Sequence, residues 1–584
     1  SRKEVEGAYN QASEWYEERK HQWRRKFAEA VAGSADISVV LLGRPYTVLS
    51  ERMNAGIPEI LARHGVRAYF QDMLEPVQNG DPGFEALCRQ TKWRNARRIF
   101  EAAWQVCNTP GVYPILLTSF KCTPDACTME HFRRIMDSFG KPYLILQLDE
   151  HDSRVGYETR VEAALRTFRN HHAGDSDGRG RLERLPRPLP ARGDPTRTVF
   201  VPHWDTLATP LFVAGLQEVG VDARLLRETP GLIRTSLGDN TGQCLPLSII
   251  LHEFVEQVKR ERLDPARCSL WMPNSSIACN ICFFLQYGRT MLERIGGGFE
   301  RAGLYPGEIT CHEISPKATL NAFYAFYFGG MLRRMQCRTR PYEKNPGQTD
   351  EVVEWGLELL KQAMLGAVPK QKAVRKVVDA FLQIDREGEQ RPIVAIFGDL
   401  YARDNDVFNQ DLIRLVEAHG GEALTTPYSE YVKVIAKPYL RKWIREGNYK
   451  DVLLSAPFAY SMDLLEYPFR REFERVLGRR KVVKRMGRPE ELLGRFGVSM
   501  YHTGESFDNL LKIFHLLERY PEIALFVQTS PAFCCPSLVT EAMASKIEQQ
   551  TGRPVVTVNY DGTSADHNRI VIPYLELAVR RAQG

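Results

Sequence analysis

Twelve cysteines are spread over the 584 residues, and the ones that could do chemistry sit in short polar loops. Ser119 to Cys127 carries Cys122 and Cys127, and Asp239 to Pro246 carries Cys244. Pro273 to Cys282 carries Cys279 and Cys282, and Gln528 to Pro536 carries Cys534 and Cys535. Thiolates from separate loops can converge on one iron–sulfur cluster. Cys279 and Cys282 have a zinc-like spacing, but no second CxxC or HxxxH completes a tetrahedral set. A thioredoxin-like redox pair there lacks its usual context. Spacing alone leaves a cluster, a zinc ion and simple burial open. Cys88, Cys107, Cys268, Cys311 and Cys337 lie in apolar helical or strand-like settings and read as core.

The elements that must position these loops follow a repeating pattern of short apolar strand, turn and amphipathic helix. Strands are predicted at Ile37–Leu42, Tyr113–Thr118, Tyr143–Leu148, Thr198–Val201, Cys268–Met272, Ile393–Phe397, Asp451–Leu454, Ala524–Val527 and Pro554–Val558. Their Val, Ile and Leu content between helical stretches indicates parallel sheets covered on both faces. The expected fold class is α/β, with three or more Rossmann-like doubly wound parallel-sheet domains in series. In such sheets ligands bind beyond the carboxyl ends of the strands, where three of the cysteine loops fall. Cys244 instead precedes a helix with the apolar face Leu247, Ile250, Leu251, Phe254, Val255 and Val258, and Pro246 occupies its first turn. Free N–H groups at that helix start would lower the thiol pKa and stabilise an anionic group.

The polar, Gly- and Pro-rich segment His171–Thr196 reads as a linker, and Gln383–Arg391 as a weaker break. The expected organisation is an N-terminal helix (1–32), an α/β domain (33–170), the linker (171–196), and two further α/β domains (197–387 and 388–584). The three blocks read as distant copies of one plan. A formal charge of +6 over this length argues against a nucleic-acid binder. No apolar run reaches membrane-spanning length and no secretory signal opens the chain, which places the cysteines in a reducing cytoplasm.

Around these cysteines the chain resembles the activase-linked relatives of 2-hydroxyacyl-CoA dehydratase and benzoyl-CoA reductase, including the double-cubane cluster proteins. Leu42-Gly43-Arg44-Pro45-Tyr46, Tyr113 to Thr118 with Cys122 and Pro124-Asp125, and Asp149-Glu150-His151 with Thr159 to Glu162 resemble part of the activase-associated module of the fused activase–dehydratase proteins. Asn240 with Cys244 and Pro246, Met272-Pro273 through Cys279 to Gln286-Tyr287, Phe397-Gly398-Asp399, Phe533 to Pro536, and Tyr560 to Thr563 resemble the dehydratase-subunit module. The resemblance implies a 4Fe–4S cluster, or two cubanes bridged into an 8Fe–9S double cubane, with three cysteines per cubane. Cys244, Cys279 and either Cys534 or Cys535 are the implied ligands of one cubane, and Cys122 belongs to the other. Asn240, Gln286 and Tyr287 are the implied cofactor-binding residues.

The chain departs from the family pattern in three places. The cysteine–proline motif that usually precedes Gly-Arg-Pro-Tyr is not in this sequence. The chain is therefore expected to be a fragment or separate subunit of something longer, or to hold an incomplete second cubane. The segment after Cys279 is longer and adds Cys282 as a competing ligand. Thr123 stands where glycine is common, at the turn carrying Cys122.

The expected function is an iron–sulfur redox component that takes low-potential electrons from an ATP-hydrolysing activator, separate or fused upstream, and reduces or dehydrates a small or CoA-linked substrate. A non-catalytic electron-transfer or scaffold subunit and a structural zinc module are the alternatives. No residue is assigned a catalytic role. Asn240, Gln243, Ser275, Ser276, Gln286 and Thr529 are candidates for hydrogen bonds around the sulfurs, each with a plain reading as a turn or cap residue. Lys121 and Arg44 read as counter-charges or as solvated loop residues, and His151, His312, His502 and His567 as possible proton carriers. No GxxxxGK[ST] loop is present, so ATP hydrolysis is expected on the partner. A homodimer is the default assembly.

Overall fold

A computed structural model describes residues 2–34, 36–77, 81–119, 122–149, 151, 153–174, 193–194, 196–274, 280–308, 310–479, 487–500 and 507–583. Cys279, Lys121, Ser275, Ser276, His502 and most of the expected linker lie outside the described residues.

The strands are β1 Ser38–Gly43, β2 Ala68–Phe70, β3 Val112–Ser119, β4 Leu144–Leu148, β5 Thr198–Val201, β6 Ala223–Leu225, β7 Cys268–Pro273, β8 Gly303–Gly307, β9 Ile393–Gly398, β10 Glu422–Thr425, β11 Ile523–Pro531 and β12 Val555–Tyr560. They form three four-stranded sheets with the orders β2-β1-β3-β4, β6-β5-β7-β8 and β10-β9-β11-β12. Every strand pairing is parallel. Each sheet therefore repeats the same second-first-third-fourth order. Helices cover the sheets, so the central strands are buried on both faces and read as unbroken apolar runs, such as Val39–Leu42 and Val394–Phe397. The α/β class with three parallel sheets is as expected.

Two compact units divide the chain. The first is Ser1–Leu189 with Thr241–Gln243, and the second is Pro190–Asn240 with Cys244–Gly584. In the first unit the opening helix, Arg2–Ala32, packs on its own sheet. Phe27 meets Tyr69 edge-on at 5.0 Å, Tyr16 Oη donates to Asp72 at 2.9 Å, and Arg24 donates to the Leu74 carbonyl at 3.2 Å. The Arg154–Ala173 helix runs into the segment expected as linker, because the Tyr113 hydroxyl holds His171 Nδ1 at 2.8 Å.

The second unit contains the other two sheets, with the Pro316–Thr339 helix between them. Gly329 lets that helix approach Ala208, where a Cβ would lie 2.5 Å from its Cα. Arg333 donates to Asp406 at 2.8 Å, and Arg334 pairs with Glu430 at 2.6 Å. The weaker break, Gln383–Arg391, is pinned at Lys344 N to Asp385 O (2.9 Å) and Arg391 N to Tyr342 Oη (3.0 Å).

Asp451–Leu454, expected as a strand, is instead part of the Tyr449–Leu477 helix. A run of three apolar residues cannot fix a period, and here the longer pattern wins. Met462, Phe469, Phe473 and Val476 recur at helical spacing and are all buried. Phe469 and Phe473 pack on Phe328 and Tyr327 at 4.9 and 5.6 Å. The third sheet takes β10 as its edge strand in its place.

Candidate metal centre

Three of the predicted cysteines share one local construction. Cys122, Cys244 and Cys534 each cap the N-terminus of a helix, Thr123–Ser138, Leu245–Arg260 and Cys535–Ala542, with proline in the first turn. The backbone at each is non-helical, extended at Cys122 and Cys534, and its carbonyl accepts an early bond of the helix: Ala126 N to Cys122 O at 2.9 Å, Leu247 N to Cys244 O at 3.0 Å, Leu538 N to Cys534 O at 3.0 Å. Proline costs nothing there because first-turn N–H groups have no intrahelical acceptor. The helix dipole and remaining N–H groups favour negative charge on a sulfur so placed. The Cys-x-Pro spacing at 122, 244 and 534 was the readable signal of this shared geometry, and it extends the single Pro246 observation to all three.

In the second unit Cys244 and Cys534 line one cavity of about 120 Å³. Its walls come from the carboxyl ends of two sheets: Pro202 after β5, Pro273 at the end of β7, Gly398 to Tyr401 at and after β9, and Cys534, Pro536 and Ser537 after β11. With the order 2-1-3-4, chain connections leave the two central strands in opposite directions, which opens a crevice at that point. The cavity is where the crevices of the two sheets meet. Gly398 permits the close packing, since at φ 124° a Cβ would sit 2.2 Å from the Thr529 carbonyl oxygen. Phe533 adopts a left-handed φ of 63° immediately before Cys534. Such a conformation is costly for an aromatic residue and concentrates at functional turns.

Polar groups in the same cavity were not visible as a site in the sequence. Lys512 is 3% exposed, donates to the Gly398 carbonyl at 3.1 Å, and lies 4.3 Å from the Tyr431 ring centroid. Tyr431 in turn donates to Asp508 at 2.8 Å. A lysine inside the run Leu510–Phe514 was the available signal, because a cation is rarely buried without a task or a partner. Asp399 accepts from Tyr401 N and Ala402 N, each at 3.0 Å, and burial raises its carboxyl pKa above the ordinary value. Asn280 is 4% exposed, and its Oδ1 has no hydrogen-bond partner among the described residues.

The other predicted residues are placed differently. Cys535 is exposed, and Cys282 is half-buried in the Asn280–Phe283 turn; neither lines the cavity. Asn240 donates to Ser248 at 3.0 Å, and Thr529 donates to the Phe397 carbonyl at 3.2 Å. Gln286 and Tyr287 are buried in the Phe284–Ile295 helix and do not line the cavity; the amide of Gln286 has no hydrogen-bond partner among the described residues. Gln243 closes a turn with Thr241 at 2.7 Å. His151 and His312 are exposed, and His567 pairs with Asp561 at 3.0 Å. In the first unit Cys122 lies beside Arg44 and Asp125, which pair at 2.8 Å. Burial lowers the Arg44 pKa, but Asp125 and Cys122 outweigh it and keep the guanidinium above its ordinary value.

The core cysteines contrast with the capping ones. Burial pushes the Cys107 and Cys337 thiols up to about 12 and Cys268 to about 11, so they stay protonated and inert. Cys88, half-buried, is also pushed up to about 12. Burial raises Cys127 and Cys311 as well.

A second cavity in the same unit, about 930 Å³, opens beside the first. Arg227, Glu228, Arg234, His203 and His567 line it, as does the Tyr560 to Ser564 turn, apart from Asp561. The two volumes separate the two roles. Pockets for organic ligands run from about 300 to 1,000 Å³. The cleft falls in that range, whereas the cysteine cavity has room for only about four water molecules. Sulfur donors at helix N-termini and the buried Lys512 fit a compact, anionic inorganic group.

Residues 1–74 match the CoA enzyme activase uncharacterised domain (DUF2229). The match links the opening helix, β1 and β2 to CoA enzyme activases, an enzyme-associated family, and does not reach the cysteine cavity. No curated protein matches the chain. Among the described residues no helix is long and apolar enough to cross a membrane.

Proposed function

We propose that the chain is the iron–sulfur component of an activator-dependent redox enzyme. The carrying observation is that Cys244 and Cys534, far apart in sequence, cap two helices on one small cavity. The resemblance adds Cys279, which follows β7 in the sequence, as the third ligand. Cys122, beside Arg44, is the candidate ligand of a second group in the first unit.

A cluster held by three cysteines leaves one iron open and combines Lewis acidity with one-electron transfer at low potential. The chain's own residues do the rest. The two helix N-termini and Lys512 stabilise negative charge in the cavity. Trp204, Trp271 and Phe284 in its wall exclude water, which strengthens those interactions. The larger cleft has the volume for a small or CoA-linked substrate, and its Arg227 and Arg234 suit an anionic one. Electrons come from an ATPase activator, with which the activase-related match at residues 1–74 agrees.

The test is ATP-driven reduction. The anaerobically reconstituted chain is mixed with an ATPase activator of this family, and the electron paramagnetic resonance signal is followed. A reduced-cluster signal that needs ATP supports the proposal. Reduction that proceeds equally without ATP, or a protein that takes up no iron, defeats it.

A further inference from the structure

Between the cysteine cavity and the open cleft lies a buried carboxyl pair. Tyr401 lines the cavity, and its hydroxyl donates to Glu228 Oε2. Glu228 lines the cleft. Asn405 also donates to Glu228 Oε2, at 2.7 Å, and to the His203 carbonyl at 2.9 Å. Behind Glu228, on the helix that Cys244 caps, stands Glu253, 1% exposed. Glu228 Oε1 and both carboxyl oxygens of Glu253 are buried with no donor among the described residues. The two carboxyls lie against each other. Two carboxylates cannot donate to one another, so a proton held between them is the donor both lack.

We propose that Tyr401, Glu228 and Glu253 form a proton relay from the open cleft to the cysteine cavity. Glu228 and Glu253 store one proton, and Tyr401 passes it on. If an electron from the activator entered the cavity, the Tyr401 O–H bond would break to hand its proton to a basic group held there, balancing the added charge. The O–H bond of the carboxyl pair breaks to reprotonate the phenol oxygen, and a proton from cleft water restores the pair. One proton moves for one electron, and no electron passes along the relay.

The surroundings support storage. Tyr401, Asn405 and Glu253 face Glu228, Glu228 faces Glu253, and Glu228, Glu253 and Asp399 face Tyr401. Among the described residues none of these is a cation that would hold both carboxyls ionised. Burial pushes Glu228 up to about 7, and burial together with Glu228 raises Glu253 well above the ordinary value. The delivery half rests on the redox reading of the cavity, and the storage half stands without it.

The test has two arms. In the cluster-free protein near neutral pH, infrared spectroscopy should show the carbonyl stretch of one protonated carboxyl, lost in both Glu253→Gln and Glu228→Gln. Absence of that band, or its persistence in both variants, overturns the proposal. In the reconstituted protein the reduction potential should fall with rising pH, and Tyr401→Phe, which removes only a hydroxyl, should slow proton uptake at least tenfold with iron content unchanged. A potential independent of pH, or uptake as fast in Tyr401→Phe as in the wild type, overturns delivery. Failure to take up iron and sulfide defeats the redox reading and with it delivery, and the infrared arm still decides storage.

Discussion

A cysteine's role here follows from where its backbone stops being extended and becomes helical. Cys122, Cys244 and Cys534 stand at that junction, while Cys107, Cys268 and Cys337 sit in cores that keep them protonated. Replacing Cys244 or Cys534 with serine should remove most of the bound iron, whereas Cys535→Ser should retain it; iron analysis after anaerobic reconstitution distinguishes them. The Glu228 carboxyl gives a pH signature. Below its unfolded value of 4.5 it is protonated in both states. As pH rises from there to about 7, the unfolded chain releases the proton and the folded chain keeps it, so stability falls. Glu228→Gln should flatten that slope in urea unfolding between pH 5 and 7. The cysteine loops were legible as residues, because polar turns after apolar strands stand out. Lys512 and the Glu228–Glu253 pair were not, because their partners come from distant segments and nothing local marks them.

At the level of elements, the central strands were legible because burial on both faces leaves unbroken Val, Ile and Leu runs. The short strands β2, β6, β8 and β10 were not. With three to five residues each and charges such as Arg224 or Glu422, they take their conformation from pairing with a neighbour rather than from their own pattern. At Asp451–Leu454 the longer helical spacing of the surrounding segment overrode a short apolar run. The tight join of β9 to β11 at Gly398 yields a direct test. Gly398→Ala places a methyl against the Thr529 carbonyl at a φ that alanine avoids. It should cost on the order of 1–3 kcal/mol by denaturant unfolding and lower iron retention, since Gly398 itself lines the cysteine cavity.

Over the whole molecule, one strand order is used three times, and the second unit sets two copies together so that their crevices share a cavity. The repeat was legible as three blocks, but their pairing was not, because it depends on the Pro316–Thr339 helix, buried on nearly all sides between them, and on contacts distant in sequence. The chain alone should hydrolyse no ATP, which a phosphate-release assay checks. The central claim is that Cys244 and Cys534 hold an iron–sulfur cluster, and metal and acid-labile sulfide analysis of anaerobically prepared protein tests it most directly. Iron and sulfide in near-equal amounts, both lost in Cys244→Ser and Cys534→Ser, is the predicted result. Stoichiometric zinc without sulfide, or iron content unaffected by either substitution, would contradict it.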